Sequence, residues 1–204
     1  MDGATIDLLL PMFQDAVEML ALTRASFRAY DSGRVEVAIA IGRSLHKRER
    51  ELTERLVAAP PEVDGLRFVP SDLERISDVV QGLLRCVRTM QTEGLAFTDG
   101  GTREIEQLFE RATEILECAR DLALTGNRVL AHHIEIESMR FHDIASGFAR
   151  AHEGRLVEGL CQPTASSAYL AMVDYLREVT RHSRRMAARI VPRESGAASA
   201  RRPF

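Results

Sequence analysis

Glu74 and Asp78 stand four residues apart in the run SDLERISD. A helix places both carboxylates on one face. Two carboxylates so placed can hold a hard or borderline cation through oxygen. Gln81 and Arg85 continue this polar stripe, and Ile76, Val80, Leu83 and Val87 form an apolar stripe away from it. The competing reading is a solvated face, because acids at this spacing are common on exposed helices and their ion pairs contribute little. A second set is His132, His133, His142, His152 and His182. His133 and Glu137 are also four apart and can be co-ligands. His152 shares a stripe with Ile134, Phe141 and Phe148, so it reads as a buried, hydrogen-bonded core histidine. Neither Glu-x-x-His nor HExxH occurs. A third set is Arg177, Arg181, Arg184, Arg185 and Arg189. Guanidinium forks suit phosphate, and the alternative is a solvated basic helix end that complements its own dipole. No Ser-His-Asp or Cys-His pattern and no glycine-rich phosphate loop can be read, so the expectation is a protein that is not an enzyme.

Composition limits the partners. The 204 residues carry a net charge of −3, and 45% are hydrophobic against 28% charged. That is ordinary for a globular chain and offers no basic field for nucleic acid. The arginines are interleaved with acids, the pattern of solvated helix faces. Three widely spaced cysteines, Cys86, Cys118 and Cys161, fit neither a zinc spacing nor a disulfide framework. The expectation is a reducing, cytoplasmic setting. No run is long and apolar enough for a membrane helix, and the start, MDGATIDLLLP, lacks the features of a secretory signal.

Six helical segments can be read, from about Ile6 to Tyr30, Arg34 to Ala58, Ser71 to Met90, Thr102 to Leu124, Asn127 to Leu160, and from after Pro163 to about Ile190. Ser71 with Glu74 reads as a capping box for the third, and Ser166 or Ser167 as a cap for the sixth. Thr98-Asp99-Gly100-Gly101 reads as a linker, and residues 192–204 as a disordered tail. The chain also repeats itself. MFQDAVEML (from Met12) is echoed by LFERATEIL (from Leu108), pairing Phe13 with Phe109, Ala16 with Ala112 and Leu20 with Leu116. Leu73, Ile76, Leu83, Leu84 and Val87 are echoed by Leu176, Val179, Met186, Ala187 and Ile190. A unit of roughly 95–100 residues is too long for a solenoid repeat and has the size of a small helical bundle. The expected fold is all-α, two tandem three-helix bundles spanning 1–97 and 98–191, with short links implying antiparallel neighbours.

SDLERISD resembles the signature on the third helix of PhoU domains, an Asp-Leu-Glu-Arg-Ile-x-Asp-His run that Asp72, Leu73, Glu74, Arg75, Ile76 and Asp78 match. The second half, in RAHEGRLVEGL (from Arg150) and SSAYLAMVDYLREVTRHSRRMA (from Ser166), resembles the cytoplasmic PhoU-type domain of bacterial sodium/phosphate cotransporters. The resemblance spans most of residues 5–190. It implies a regulator of phosphate uptake that acts on a transporter or sensor kinase, and metal held by a Glu-x-x-x-Asp pair in each repeat. Glu74 and Asp78 fill that pair in the first repeat, but Val79 replaces the histidine that follows. In the second repeat Arg177 and Arg181 stand where the acids belong, and His182 keeps the histidine position.

The resulting expectation is a non-enzymatic accessory protein of phosphate transport or phosphate signalling, docking to a membrane phosphate transporter or sensor at the inner face of the membrane. A homodimer is compatible with this, and nucleic acid is not a partner. Glu74 and Asp78 are candidate ligands for one divalent or iron-type metal ion. Arg177, Arg181 and His182 are candidates for partner or anion binding. The rival expectation is a metal-binding helical protein using Glu74, Asp78 and the histidines of the fifth helix, and a third is a scaffold that only associates.

Overall fold

The computed structural model describes residues 3–57 and 66–191, with side chains from Ile6 onward. Six helices follow in order: α1 (Gly3–Arg28), α2 (Ser32–Val57), α3 (Val69–Glu93), α4 (Asp99–Thr125), α5 (Arg128–Val157) and α6 (Pro163–Ile190). No strand forms among the described residues. The expected tail at 192–204 and the loop around Pro60-Pro61 lie outside them.

Most helix ends follow the local chemistry, and the starts of α3, α4 and α6 differ from the expected caps. Asn127 caps α5, its side chain accepting a hydrogen bond from the Val129 amide at 2.9 Å. Gly94 and Gly126 end α3 and α4 in the left-handed region, at φ 65° and 62°. Helix α3 starts at Val69 rather than Ser71, because Pro70 sits in the first turn, where its missing N–H costs nothing. Phe68 is the N-cap residue and no side chain caps it, so the expected capping box does not form. Pro163 likewise opens α6 ahead of Ser166 and Ser167. Thr98, expected in a linker, caps α4 by accepting from the Gly101 amide at 3.1 Å.

Helices α1, α2 and α3 pack on one another, as do α4, α5 and α6. The two trios meet where α3 packs on α6 and α1 on α4. The architecture is thus all-α, with α1, α3, α4 and α6 in the middle and α2 and α5 flanking. Amphipathic patterning explains the order. Helix α6 buries Tyr169, Met172, Val173, Leu176, Val179 and Met186 towards more than one neighbour, whereas α5 buries a narrow set, Ile134, Ser138, Phe141, Ala145 and His152.

The echoed residues are core positions in both trios. Phe13 and Phe109, Ala16 and Ala112, and Leu20 and Leu116 are all buried in α1 and α4. Leu73, Ile76 and Leu83 of α3 and their counterparts Leu176, Val179 and Met186 of α6 are completely buried. These residues belong to one hydrophobic cluster that runs through both trios. Aromatic rings bridge the α1–α4 side, where Phe27 lies 6.0 Å from Phe97 and 5.9 Å from Phe109. Arg24 and Arg28 of α1 both donate to Glu106 of α4, at 3.2 and 2.6 Å.

Close approach of α3 and α6 depends on Gly82. A Cβ there would fall 2.5 Å from Cζ of Tyr175. Gly82→Ala should therefore destabilise the protein by about 1–3 kcal/mol in urea or guanidinium unfolding. Gly147 of α5 faces open space, so Gly147→Ala should instead stabilise by about 0.5–1 kcal/mol. Equal effects of the two substitutions would contradict this packing.

Candidate functional site

Among the described residues, the most deeply buried carboxylate lies in the contact between the two trios. Asp72 of α3 is 1% exposed. Its Oδ1 meets Nδ1 of His182 at 2.9 Å and the Arg185 guanidinium at 3.2 Å. Its Oδ2 accepts from Arg189 at 2.5 Å. Arg189 also lies over the ring of Phe68, 4.7 Å from its centre. His182, Arg185 and Arg189 follow one face of α6, so a single carboxylate gathers three donors from consecutive turns. Sequence reading left Asp72 as a motif residue only. Its helical position, four residues before Ile76 and eight before Val80, was the available signal, because an acid on an apolar stripe is buried and so requires partners.

A second polar network closes the α4–α5–α6 end. Glu104 of α4 takes both guanidinium nitrogens of Arg155, at 2.9 and 2.5 Å, and the Tyr169 hydroxyl at 2.6 Å. The bidentate pairing fixes geometry as well as charge. Hydrogen bonding to Glu104 holds the Arg155 pKa up. Burial, with Glu104 second, pushes the Tyr169 hydroxyl up as well. His152 stacks on Tyr169 at 4.0 Å and its Nε2 lies 3.0 Å from the Ser166 hydroxyl. The expected buried, hydrogen-bonded His152 is therefore found, at 4% exposure. Ser166, read as a helix cap, is its partner instead. A cavity of about 190 Å³ borders the network, lined in part by Phe97, His152 and Cys161.

The acid pair of α3 is placed differently. Glu74 is bonded to Nδ1 of His46, an α2 residue that no sequence motif singled out, at 2.6 Å. Asp78 is exposed and lies 3.9 Å from Arg75. His132, His133 and His142 are exposed on α5, and Glu137 pairs with Arg140. Among the described residues, no three His, Cys, Asp or Glu side chains converge as a metal site. The donors present do not fit the paired clusters that the resemblance implies, and in the second repeat the positions are cationic.

Arg177 and Arg181 line a groove between α5 and α6 of about 440 Å³, together with Ser138, Met139, His142, Asp143, Glu178, Thr180 and Arg184. Arg177 donates to Asp174 at 2.8 Å and to the Ser146 hydroxyl at 3.1 Å. Arg181 donates to Glu178. The third residue of that expected group, His182, points away to Asp72, while its Nε2 stays 3.8 Å from Glu178.

Burial pushes the His152 pKa below its ordinary 6.5, and the charge of Arg155 adds to the shift. The fold favours the neutral ring, so this contribution is complete above pH 6.5 and is lost as pH falls. Between pH 7.5 and 5.5 the parent should lose more unfolding free energy than His152→Gln does. At pH 7.5, His152→Ala should cost about 1–3 kcal/mol through the cavity and the lost hydrogen bond to the Ser166 hydroxyl. Identical pH dependence in parent and variant would contradict the assignment.

No family model and no curated protein matches the chain in sequence. Solved structures match it in fold. PhoU from Pseudomonas aeruginosa superposes with a TM-score of 0.84 at 17% identity, covering 92% of this chain and 93% of that one. The phosphate transport system regulatory protein PhoU from Streptococcus pneumoniae gives 0.80 at 15% identity, covering 92% and 91%. A PhoU-like protein from Shewanella oneidensis gives 0.64 at 12% identity, covering 90% and 96%. At such identities the likeness is one of architecture, and over 92% of its length the chain has the PhoU fold.

Proposed function

We propose that this protein is a non-enzymatic regulator of phosphate transport or phosphate signalling that acts by docking to a membrane transporter or sensor. The observation that carries the reading is the extent of the fold likeness. It takes in 92% of this chain and 91% of a phosphate transport system regulator, so the comparison is between whole architectures rather than a shared fragment. The polar chemistry agrees with such a role. Its clusters tie helix to helix, as Asp72 ties α3 to α6 and Glu104 ties α4 to α5 and α6. An enzyme instead needs a positioned acid, base or nucleophile facing a reaction space.

Among the described residues no helix is long and apolar enough to cross a membrane. Action on a membrane protein therefore proceeds through a surface, and the flanking helices α2 and α5 offer long outer faces of mixed charge for it. The proposed setting is the cytoplasmic face of the membrane, and self-association as a dimer is compatible with it. The resemblance of the runs from Arg150 and from Ser166 to the cytoplasmic domain of sodium/phosphate cotransporters supports that partner class.

Deleting the gene should misregulate phosphate uptake or the phosphate-starvation response, and complementation should restore both. Uptake of labelled phosphate and starvation-gene expression, measured under replete and limiting phosphate, check this. Unchanged uptake and expression in the deletion strain would remove the support for a regulatory role.

A further inference from the structure

We propose that the groove between α5 and α6 binds a phosphate-type oxyanion, with Arg177, Arg181 and Arg184 as its cationic wall. These arginines sit at i, i+4 and i+7, so one helix face presents three guanidinium groups to one concavity. The lining also holds two acids, Asp143 and Glu178, which leaves one excess positive charge before His142 is counted. Arg184 and His142 have no hydrogen-bond or ion-pair partner among the described residues.

Two buried groups argue for an acceptor in the groove. Ser138 is 7% exposed, and its hydroxyl oxygen is buried with no hydrogen-bond partner. Nε of Arg177 is likewise buried and unpartnered. Both are donors, and buried donors are normally satisfied. A ligand rich in acceptor oxygens satisfies them, and a cation does not. Phosphate chemistry suits the site further because guanidinium forks bind it through paired, charge-assisted hydrogen bonds. The existing Arg181–Glu178 pair is local and partly exposed, a class of ion pair that is weak and readily exchanged.

The site gives the regulatory reading a ligand, and its geometry stands without that reading. Binding is measured on purified protein and uptake in cells, so either can fail alone. The same chemistry is offered by free inorganic phosphate and by a lipid headgroup, and the test separates them. The full chain is titrated with inorganic phosphate by calorimetry at constant ionic strength, and is sedimented with phosphatidylcholine vesicles with and without phosphatidic acid. Parent, Arg181→Gln, Arg184→Gln and, outside the groove, the exposed Arg88→Gln are compared, with circular dichroism to establish that each is folded. Arg184 makes no ion pair, so its loss leaves the fold intact. Saturable phosphate binding, weakened about tenfold or more by Arg181→Gln and by Arg184→Gln but not by Arg88→Gln, supports the site with free phosphate as ligand. Sedimentation that requires phosphatidic acid and is lost in the same two variants supports it with a headgroup as ligand. No binding in either arm, or binding that the two groove variants leave unchanged, overturns it.

Discussion

The contact between α3 and α6 is the constraint on which the rest of the molecule depends. It joins the two trios, and it does so at close range because Gly82 leaves room for the Tyr175 ring. Within it lies one buried carboxylate, Asp72, facing His182, Arg185 and Arg189. Apolar burial supplies most of the favourable energy of such a contact. A buried ion cluster adds little net stability, because desolvation offsets the attraction. What it adds here is register. A slip of α6 past α3 would leave Asp72 buried without its donors, a costly state. The apolar stripes bring the helices together, and the charge cluster selects one alignment.

The two helical trios share one hydrophobic cluster and differ on their outer faces. In the first, Glu74 and Asp78 occupy the outer side of α3, and His46 reaches Glu74 from α2. In the second, arginines fill the corresponding side of α6, and the adjacent groove carries unpaired donors. At these positions one trio presents acids and the other arginines, each beside a residue of opposite charge. The groove also connects to the seam. Arg181 holds Glu178, Glu178 lies 3.8 Å from His182, and His182 bonds Asp72 of the first repeat. A ligand that competes for Arg181 acts one residue away from the contact that joins the halves.

The fold was legible because its signals are local and repeated. Period-3.6 apolar stripes, glycine stops and the Phe13/Phe109 echo needed no knowledge of distant contacts. The helix starts at Val69 and Pro163 were missed because proline in a first turn outweighs a nearby serine cap. The site was legible only in part. His152 was readable as a core residue from its stripe, since burial follows from periodicity. Its partners Ser166 and Tyr169, the Glu104–Arg155 clamp and the His46–Glu74 pair were not, because each joins different helices and no sequence spacing records which helices become neighbours. Asp72 and His182 lie 110 residues apart, and only the packing of α3 on α6 brings them together. Arg177 and Arg181 were readable as part of the basic group of the sixth helix, and the α5 side of their groove was not.

One seam joins the two helical trios, so the molecule should unfold as a single cooperative structure with the flanking helices α2 and α5 opening first. Native-state amide hydrogen exchange tests it most directly, because it resolves which segments open together. Core amides of α3 and α6 should exchange last and with the same opening free energy, equal to that of global unfolding, while α2 and α5 open earlier. Two separate exchange classes, one for α1–α3 and another for α4–α6, would contradict it.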